Sequence, residues 1–280
     1  MSREYVDAHA HLNTLSWATL DAMSQAGVGT IVSPIMLDAA KAISAETIVD
    51  LWDYLLEVQL SRAAEHYMTG YAMLCVNMAS SPRDDSARLF TLLPSYLTRA
   101  GVVAIGEVGF EPYSRTCPDL GQQATWIRRQ LEISRDTGTP IVIHTPNPPE
   151  DKRQYTERVL DLCRVVQIPM TQVAIDHGAP ANARLALEAG AYLGISVQPF
   201  RGMTPEGAAE LVRTYGPHRI MLNSDCSPLH SDPLAVPKTV YALRRHGVPD
   251  ATIEAVSRRN AEQFYRLRLD RQGEEDRNAL

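Results

Sequence analysis

Four histidines and two acidic residues stand at the ends of hydrophobic, strand-like runs. His9 and His11 close the first run with one residue between them, which places both imidazoles on the same side of an extended chain. The others end four separate runs: Glu107, His144, His177 and Asp225. Imidazole and carboxylate groups are ligands for zinc, manganese, cobalt or iron, so the pattern predicts a metal centre.

A single histidine or carboxylate at a strand end is weak support, because it is also an ordinary buried polar residue or a helix cap. Six of them at strand ends favour a shared metal centre, and the absence of a cysteine ligand argues against a closed structural zinc site. We predict the remaining histidines His66, His218 and His246 to lie at the surface. His230 follows Asp225 closely and is a candidate for lining the site.

The elements that must position these residues alternate along the chain as strand and then helix. We place the strands at residues 4–9, 29–35, 69–76, 102–107, 140–144, 172–177, 191–197 and 219–225. Gly27, Gly138 and Gly190 stand where a helix is expected to end before the next strand. Eight such units predict an α/β fold, a (β/α)8 barrel, whose catalytic residues come from the carboxyl ends of the strands.

Length and composition limit the organisation and the partners. The 280 residues, 45% hydrophobic and 21% charged, can bury one large core, so we predict one domain at 1–269 and a charged tail at 270–280. The net charge of −6 offers no general attraction to nucleic acid, and the arginine pair at Arg128 and Arg129 is predicted to face solvent. A nucleic-acid substrate would therefore need a local basic patch.

The sequence also indicates a compartment. The four cysteines show neither metal spacing nor a disulfide framework, which fits a reducing cytoplasm. We find no cleavable leader before His9, and no apolar run approaches the roughly 20 residues of a membrane span. We therefore expect a cytoplasmic protein that does not bind a membrane.

Several short motifs carry a resemblance to a known family. They are Asp7-Ala8-His9-Ala10-His11, Gly106-Glu107-Val108-Gly109, Ile143-His144, Asp176-His177 and Ser224-Asp225. Together they resemble the TatD-like branch of the amidohydrolase superfamily, metal-dependent hydrolases on a distorted TIM barrel, over nearly the whole chain. His144-Thr145-Pro146 and residues 231–239 are similar to a TatD-related subgroup with no firmly assigned substrate.

The resemblance implies a centre with two divalent ions. A first ion would be held by His9, His11 and Asp225, and a second by His144 and His177, with Glu107 as the bridge. Asp225 would take the proton from a metal-activated water, which makes Asp225 and Glu107 the predicted catalytic residues. Asp7 either supports the two nearby histidines or holds the end of the strand.

Two departures from the better-known TatD deoxyribonucleases affect the substrate. Those proteins carry a Gly-Ile/Leu-His-Pro turn after the third strand and His-Ser-Arg after the fifth. This chain has Cys75-Val76-Asn77-Met78 and His144-Thr145-Pro146 there, without the histidine and arginine that could bind phosphate. We therefore keep two hydrolase hypotheses: a phosphoester or phosphodiester substrate, or a small-molecule amide, ester or lactone. A non-catalytic barrel with a binding or assembly role is a third, which the complete ligand set disfavours.

Loops after the second, fourth and eighth strands, at 36–45, 110–118 and 226–232, are predicted to cover the site. Arg201, just after the seventh strand, is the candidate cationic anchor for a phosphate or carboxylate. The further candidates for substrate contact are Asn77, Tyr113, Arg115 and His230. In the second loop, Glu111 could also reach a substrate.

Overall fold

The strands form one parallel sheet that curves into a nearly closed barrel. The computed structural model describes residues 5–35, 44–227 and 231–267. Its strands follow one another in chain order: β1 (Tyr5–Asp7), β2 (Val28–Pro34), β3 (Thr69–Leu74), β4 (Val102–Gly109), β5 (Ile141–His144), β6 (Val173–Ile175), β7 (Tyr192–Ser196) and β8 (Ile220–Asn223). The predicted eight-stranded barrel is confirmed.

Helices follow the strands and surround the barrel. They are α1 (Trp17–Gln25), α2 (Ala45–Tyr54), α3 (Leu60–Glu65), α4 (Ser86–Tyr96), α5 (Leu120–Thr137), α6 (Pro149–Val166), α7 (Ala183–Glu188), α8 (Pro205–Tyr215), α9 (Ala235–Arg245), α10 (Asp250–Glu254) and α11 (Asn260–Tyr265). A turn of π-helix joins α2 to α3 and another joins α10 to α11. The proposed tail at 270–280, most of the loop at 36–45, and His230 lie outside the described residues.

Local signals in the sequence explain how the longest helices begin and end. The Asp119 side chain accepts hydrogen bonds from the backbone N–H groups of Gly121 and Gln122 and so caps α5. The helix ends at Gly138, whose φ of 71° is the left-handed conformation that glycine adopts without strain. Gly27 also has a positive φ, as the predicted helix-end positions require.

Alternating side chains divide the core into an inner and an outer layer. Val32, Met73, Val142 and other inward-facing side chains fill the inside of the barrel. The tyrosine of α11, Tyr265, closes the lower end and donates a hydrogen bond to the backbone oxygen of Ala8 at 2.9 Å. We call the end of the barrel at the carboxyl ends of the strands the mouth. Its polar residues therefore lie on a packed apolar interior.

The seam between β1 and β8 is made by the same segments that carry three of the predicted ligands. The backbone N–H of Asp225 donates to the oxygen of His9 at 2.9 Å, and that of His11 donates to the oxygen of Cys226 at 2.9 Å. Asp7 Oδ1 accepts from the N–H of Ser224 at 2.9 Å. Asp7 thus ties the ends of the two strands together, as one of its two predicted roles requires.

One histidine departs from prediction. His66, expected at the surface, is 2% exposed at the end of α3. Its Nδ1 lies 2.7 Å from Asp21 Oδ1, and its ring meets that of Trp17 edge-on at a centroid distance of 4.1 Å. The surface prediction is wrong because α3 packs against α1, a tertiary contact that the polar local sequence does not reveal.

We predict that Gly109→Ala destabilises the protein by about 1–3 kcal/mol. A Cβ at this end of β4 would lie 2.3 Å from the backbone oxygen of His144, where neither strand can yield without moving a predicted ligand. Urea denaturation measures the effect. Gly207→Ala in α8 is the matched control, because its Cβ meets nothing closer than 3.5 Å and alanine favours a helix. Equal stability of the two variants would contradict the prediction.

Candidate metal centre

All six predicted ligands meet at the mouth of the barrel. Their ligand atoms form two groups of three, and within each group the atoms lie within 4.8 Å of one another. The first group is His9, His11 and Asp225, and the second is Glu107, His144 and His177. These are the two groups that the resemblance implied, with Glu107 added to the second.

The first group is almost completely buried. The Nε2 atom of His11 lies 3.1 Å from Asp225 Oδ1, and the Nε2 atom of His9 lies 3.7 Å from the same oxygen. The side chains are between 1% and 9% exposed. Two imidazoles and a carboxylate, ligands suited to a divalent transition metal, therefore converge in a protected position.

In the second group, Glu107 is the central residue. Its Oε1 lies 2.7 Å from His144 Nδ1 and 2.9 Å from His177 Nε2. Its other oxygen, Oε2, lies 3.8 Å from His9 Nε2, which belongs to the first group. The two oxygens of one carboxylate thus reach both groups.

The chemistry of these atoms fits a metal ion. Among the residues that the structure describes, the buried His9 Nε2 has no hydrogen-bond partner, an arrangement that costs free energy in a protein interior. A cation between this nitrogen and the two nearby carboxylates would satisfy it. Imidazole and carboxylate donors without cysteine are also the set found in open, catalytic sites.

The charges of the centre also favour a bound cation. Burial alone would lower the pKa of His9, but Glu107, Asp176 and Asp225 raise it to about 10. Burial would raise the pKa of Glu107, yet His144 and His9 hold it well below its usual range. The carboxylates are thus ionised and draw positive charge into the centre, which protons supply when no metal does.

Three side chains contact the histidine ring nitrogens that do not face Glu107 and so orient the rings. Asp176 Oδ2 lies 2.6 Å from His9 Nδ1, and Ser196 Oγ lies 2.8 Å from His177 Nδ1. Glu111 Oε1 lies 3.0 Å from His144 Nε2. Such contacts fix the ring and its tautomer, leaving the opposite nitrogen available to a metal. None of these three roles was predicted from the sequence.

The inward position of Asp176 could have been predicted from the alternation of side chains along β6. It is two residues after Ala174, which faces the barrel interior, so its side chain is expected to point inward as well. Asn223 Nδ2 donates to its Oδ1 at 2.9 Å. Gly194 leaves the necessary space, since a Cβ there would lie 2.4 Å from the same oxygen.

Two ligand positions depend on an unusual backbone conformation. His177 has a φ of 54° and Asp225 a φ of 43°, the left-handed region that non-glycine residues rarely adopt. On a regular strand His177 would face away from Asp176, whereas here both side chains contact the centre. The predicted strands reached these residues, but β6 ends at Ile175 and β8 at Asn223, because the chain turns into the mouth.

Of the four described residues predicted to contact substrate, two line the cavity above the ligands and two do not. Arg201 Nη1 lies 3.5 Å from Asp225 Oδ2, and Asn77 lines a cavity of about 240 Å³ above the ligands. Asn77 Oδ1 also accepts hydrogen bonds from the loop that follows it. Tyr113 is 71% exposed and donates to Asp151, and Arg115 is exposed too. Neither lines this cavity.

Comparison with known proteins identifies the family. A family model described as TatD related DNase matches residues 6–266. The chain belongs to the TatD family. An uncharacterized metal-dependent hydrolase of Methanocaldococcus jannaschii is 31% identical over 94% of this chain and 100% of its own length. The protein is therefore a metal-dependent hydrolase.

Solved structures agree with the fold. A TatD-like protein from Archaeoglobus fulgidus has a TM-score of 0.75 and 25% identity, covering 94% of this chain and 100% of that one. The phosphotriesterase homology protein of Escherichia coli has a TM-score of 0.66 and 16% identity, covering 95% of this chain and 99% of that one.

Within residues 5–35, 44–227 and 231–267 of the TatD-family protein, no helix has the length and apolar character needed to cross a bilayer.

We predict that Asp176→Asn lowers zinc affinity about 10- to 100-fold, because the amide cannot offer His9 the same charged acceptor. Competition with a chromophoric chelator measures the affinity. Asp161→Asn, on the exposed face of α6 where Asp161 pairs with Arg164, is the matched control and should bind zinc as the wild type does. Wild-type affinity in Asp176→Asn would show that His9 needs no such partner.

Proposed function

We propose that this TatD-family protein hydrolyses small phosphodiesters at a centre of two divalent transition-metal ions. The observation that carries the proposal is the position of Glu107, whose two oxygens reach His9 of one ligand group and His144 and His177 of the other. One carboxylate that serves both groups suits a bridge between two ions. His11 and Asp225 would complete the first ion's ligands.

The ions would polarise the substrate and lower the pKa of an attacking water toward roughly 7. The chain itself supplies the proton acceptor. Asp225 contacts His11 through Oδ1, while its Oδ2 lies 3.5 Å from Arg201. Although burial opposes ionisation, the surrounding histidines hold the pKa of Asp225 below its usual range, so the carboxylate is charged. It can take the water's proton and deliver it to the leaving group.

Arg201 supports a phosphodiester as the substrate. Its side chain is 29% exposed, and its guanidinium lies beside Asp225 with its carbon 5.2 Å from the centre of the Phe200 ring. A guanidinium at this position can pair with a non-bridging phosphoryl oxygen and offset the charge that develops there. The family's description as related to DNases, and the phosphate in the active site of the Escherichia coli protein of similar fold, agree with this chemistry.

A carboxylic ester or lactone is the second candidate. Arg201 is the one lysine or arginine among the described residues that line the cavity above the ligands, and Asn77 stands where the better-known TatD deoxyribonucleases carry a histidine that could bind phosphate. The solved structures of similar fold include one titled as a lactonase template for organophosphate hydrolysis, with 13% identity. The same centre could attack a carbonyl carbon.

We predict that the zinc- or manganese-loaded protein hydrolyses bis(p-nitrophenyl) phosphate faster than p-nitrophenyl butyrate or a lactone of similar size. Asp225→Asn should lose turnover by about 10²–10⁴-fold, because the amide cannot accept the proton. Initial rates and metal content are measured on the same samples, so that loss of metal is distinguished from loss of the acceptor.

The control for this variant is Asp232→Asn, which removes an acid that pairs with Lys238 nearby in the chain. It should retain wild-type rates. Full activity in Asp225→Asn would refute the assigned role, and faster hydrolysis of the butyrate or the lactone would select the second candidate function.

A further inference from the structure

A buried lysine contacts the backbone of His177, a residue of the second ligand group. Lys152 of α6 is 5% exposed, and its Nζ donates to the backbone oxygen of His177 at 2.9 Å and to Thr145 Oγ1 at 3.3 Å. It forms no ion pair with a carboxylate of residues 5–35, 44–227 or 231–267. The charge of Asp176 favours the ammonium from beyond ion-pair distance, but burial still lowers the pKa of Lys152 to about 8. A buried ammonium whose counter-charge is this distant is unfavourable, so its presence requires an explanation.

A structural role accounts for only part of it. The two acceptors, a carbonyl and a hydroxyl, are uncharged, and a neutral donor could satisfy both. Thr145 in turn donates to the backbone oxygen of Asp176 at 2.7 Å, so the network supports the segment that carries His177. Support of the backbone explains the hydrogen bonds but leaves the positive charge without a function.

The charge faces a second cavity beside the mouth. Lys152 lines a space of about 330 Å³, a volume in the range of small-molecule sites. His177 and Arg201 line this space and also the cavity above the ligands, so the two cavities adjoin. The remaining wall is largely apolar and includes Ala179, Pro180, Ala181 and Met203.

This combination indicates what would bind there. Lys152 and Arg201 place two cations in the lining of the cavity, and much of the remaining wall is apolar. A buried cation that lines a small cavity is suited to a carboxylate or phosphate, which would supply a counter-charge at ion-pair distance. The apolar wall would contact a short hydrocarbon part of the same molecule.

We propose that this cavity, the Lys152 cavity, binds a second anionic group of the substrate, separate from the bond that is cleaved. The proposal rests on the proposed hydrolytic function and narrows its substrate class. The substrate is then a small ester or phosphodiester whose short apolar chain ends in a carboxylate or phosphate.

The test compares substrates that differ only in this group. Mono-p-nitrophenyl succinate carries a carboxylate where p-nitrophenyl butyrate carries a methyl group. The diester set is propyl, 2-carboxyethyl and 2-phosphonoethyl p-nitrophenyl phosphate, whose charged members distinguish a carboxylate from a phosphate-type anion. Every diester carries the negative charge of its own phosphate, so "charged" refers here only to the added carboxylate or phosphonate, and "uncharged" to the butyrate and propyl members. The readout is the kcat/KM of the charged member divided by that of the uncharged member. Damage to the metal centre affects both members, so it largely cancels from the ratio.

We expect the wild type to prefer a charged member about tenfold or more. Lys152→Met should lower the ratio about 10- to 100-fold, because it removes a charge-assisted hydrogen bond, and Lys152→Arg should keep a preference for the anion. Lys238→Met is the matched control. Lys238 is 53% exposed and pairs with Asp232, so its loss should leave the ratio unchanged.

A second variant does not remove the lysine. Ala181→Glu places a carboxylate on the cavity wall, where it should compete for Lys152 and lower the same ratio. If the uncharged substrates are hydrolysed and neither variant changes the ratio, the proposed role of the Lys152 cavity is wrong. The proposed hydrolytic function would then still stand. No hydrolysis of any member by the metal-loaded wild type would overturn the proposed function, and this inference with it.

Discussion

The contact of one carboxylate with two groups of histidines is the interaction on which the centre depends. Glu107 lies at the end of β4 with its side chain 16% exposed, where a negative charge is stable only beside positive charge. His144 and His9 supply that charge in the arrangement described here, and divalent ions would supply it in the active enzyme. The attraction between Glu107 and His9 contributes both to the lowered pKa of Glu107, where His144 is the larger cause, and to the raised pKa of His9.

The hydrogen bonds that close the barrel also hold the segments that carry the first ligand group. Backbone hydrogen bonds join the segments of His9 and Asp225 across the seam, so the first ligand group cannot come apart without opening the sheet. Behind the ligands, Asp176 is fixed by Asn223 and by the space that Gly194 leaves. Glu107 and His144 lie on strands, and the other four predicted ligands follow closely after strand ends. Hydrogen bonds and packing at those strand ends therefore set the ligand geometry, as precise metal sites require.

The sequence predicts the barrel and the six ligand positions because both depend on local pattern. Hydrophobic runs at regular spacing give the strands, and polar residues at their ends stand out against them. Contacts between distant segments leave no such pattern. The burial of His66 depends on α1, and the position of Lys152 beside His177 depends on how α6 meets the segment that follows β6. Left-handed conformations at His177 and Asp225 are likewise set by tertiary structure rather than by residue type.

The central claim is that Glu107 joins two metal ions, and anomalous X-ray diffraction tests it most directly. Crystals grown with zinc and measured on both sides of the zinc absorption edge locate each ion independently of any assumed mechanism. The account predicts two anomalous peaks roughly 3.5–4 Å apart with the Glu107 carboxylate between them. A single peak, or two peaks that Glu107 does not join, would contradict it.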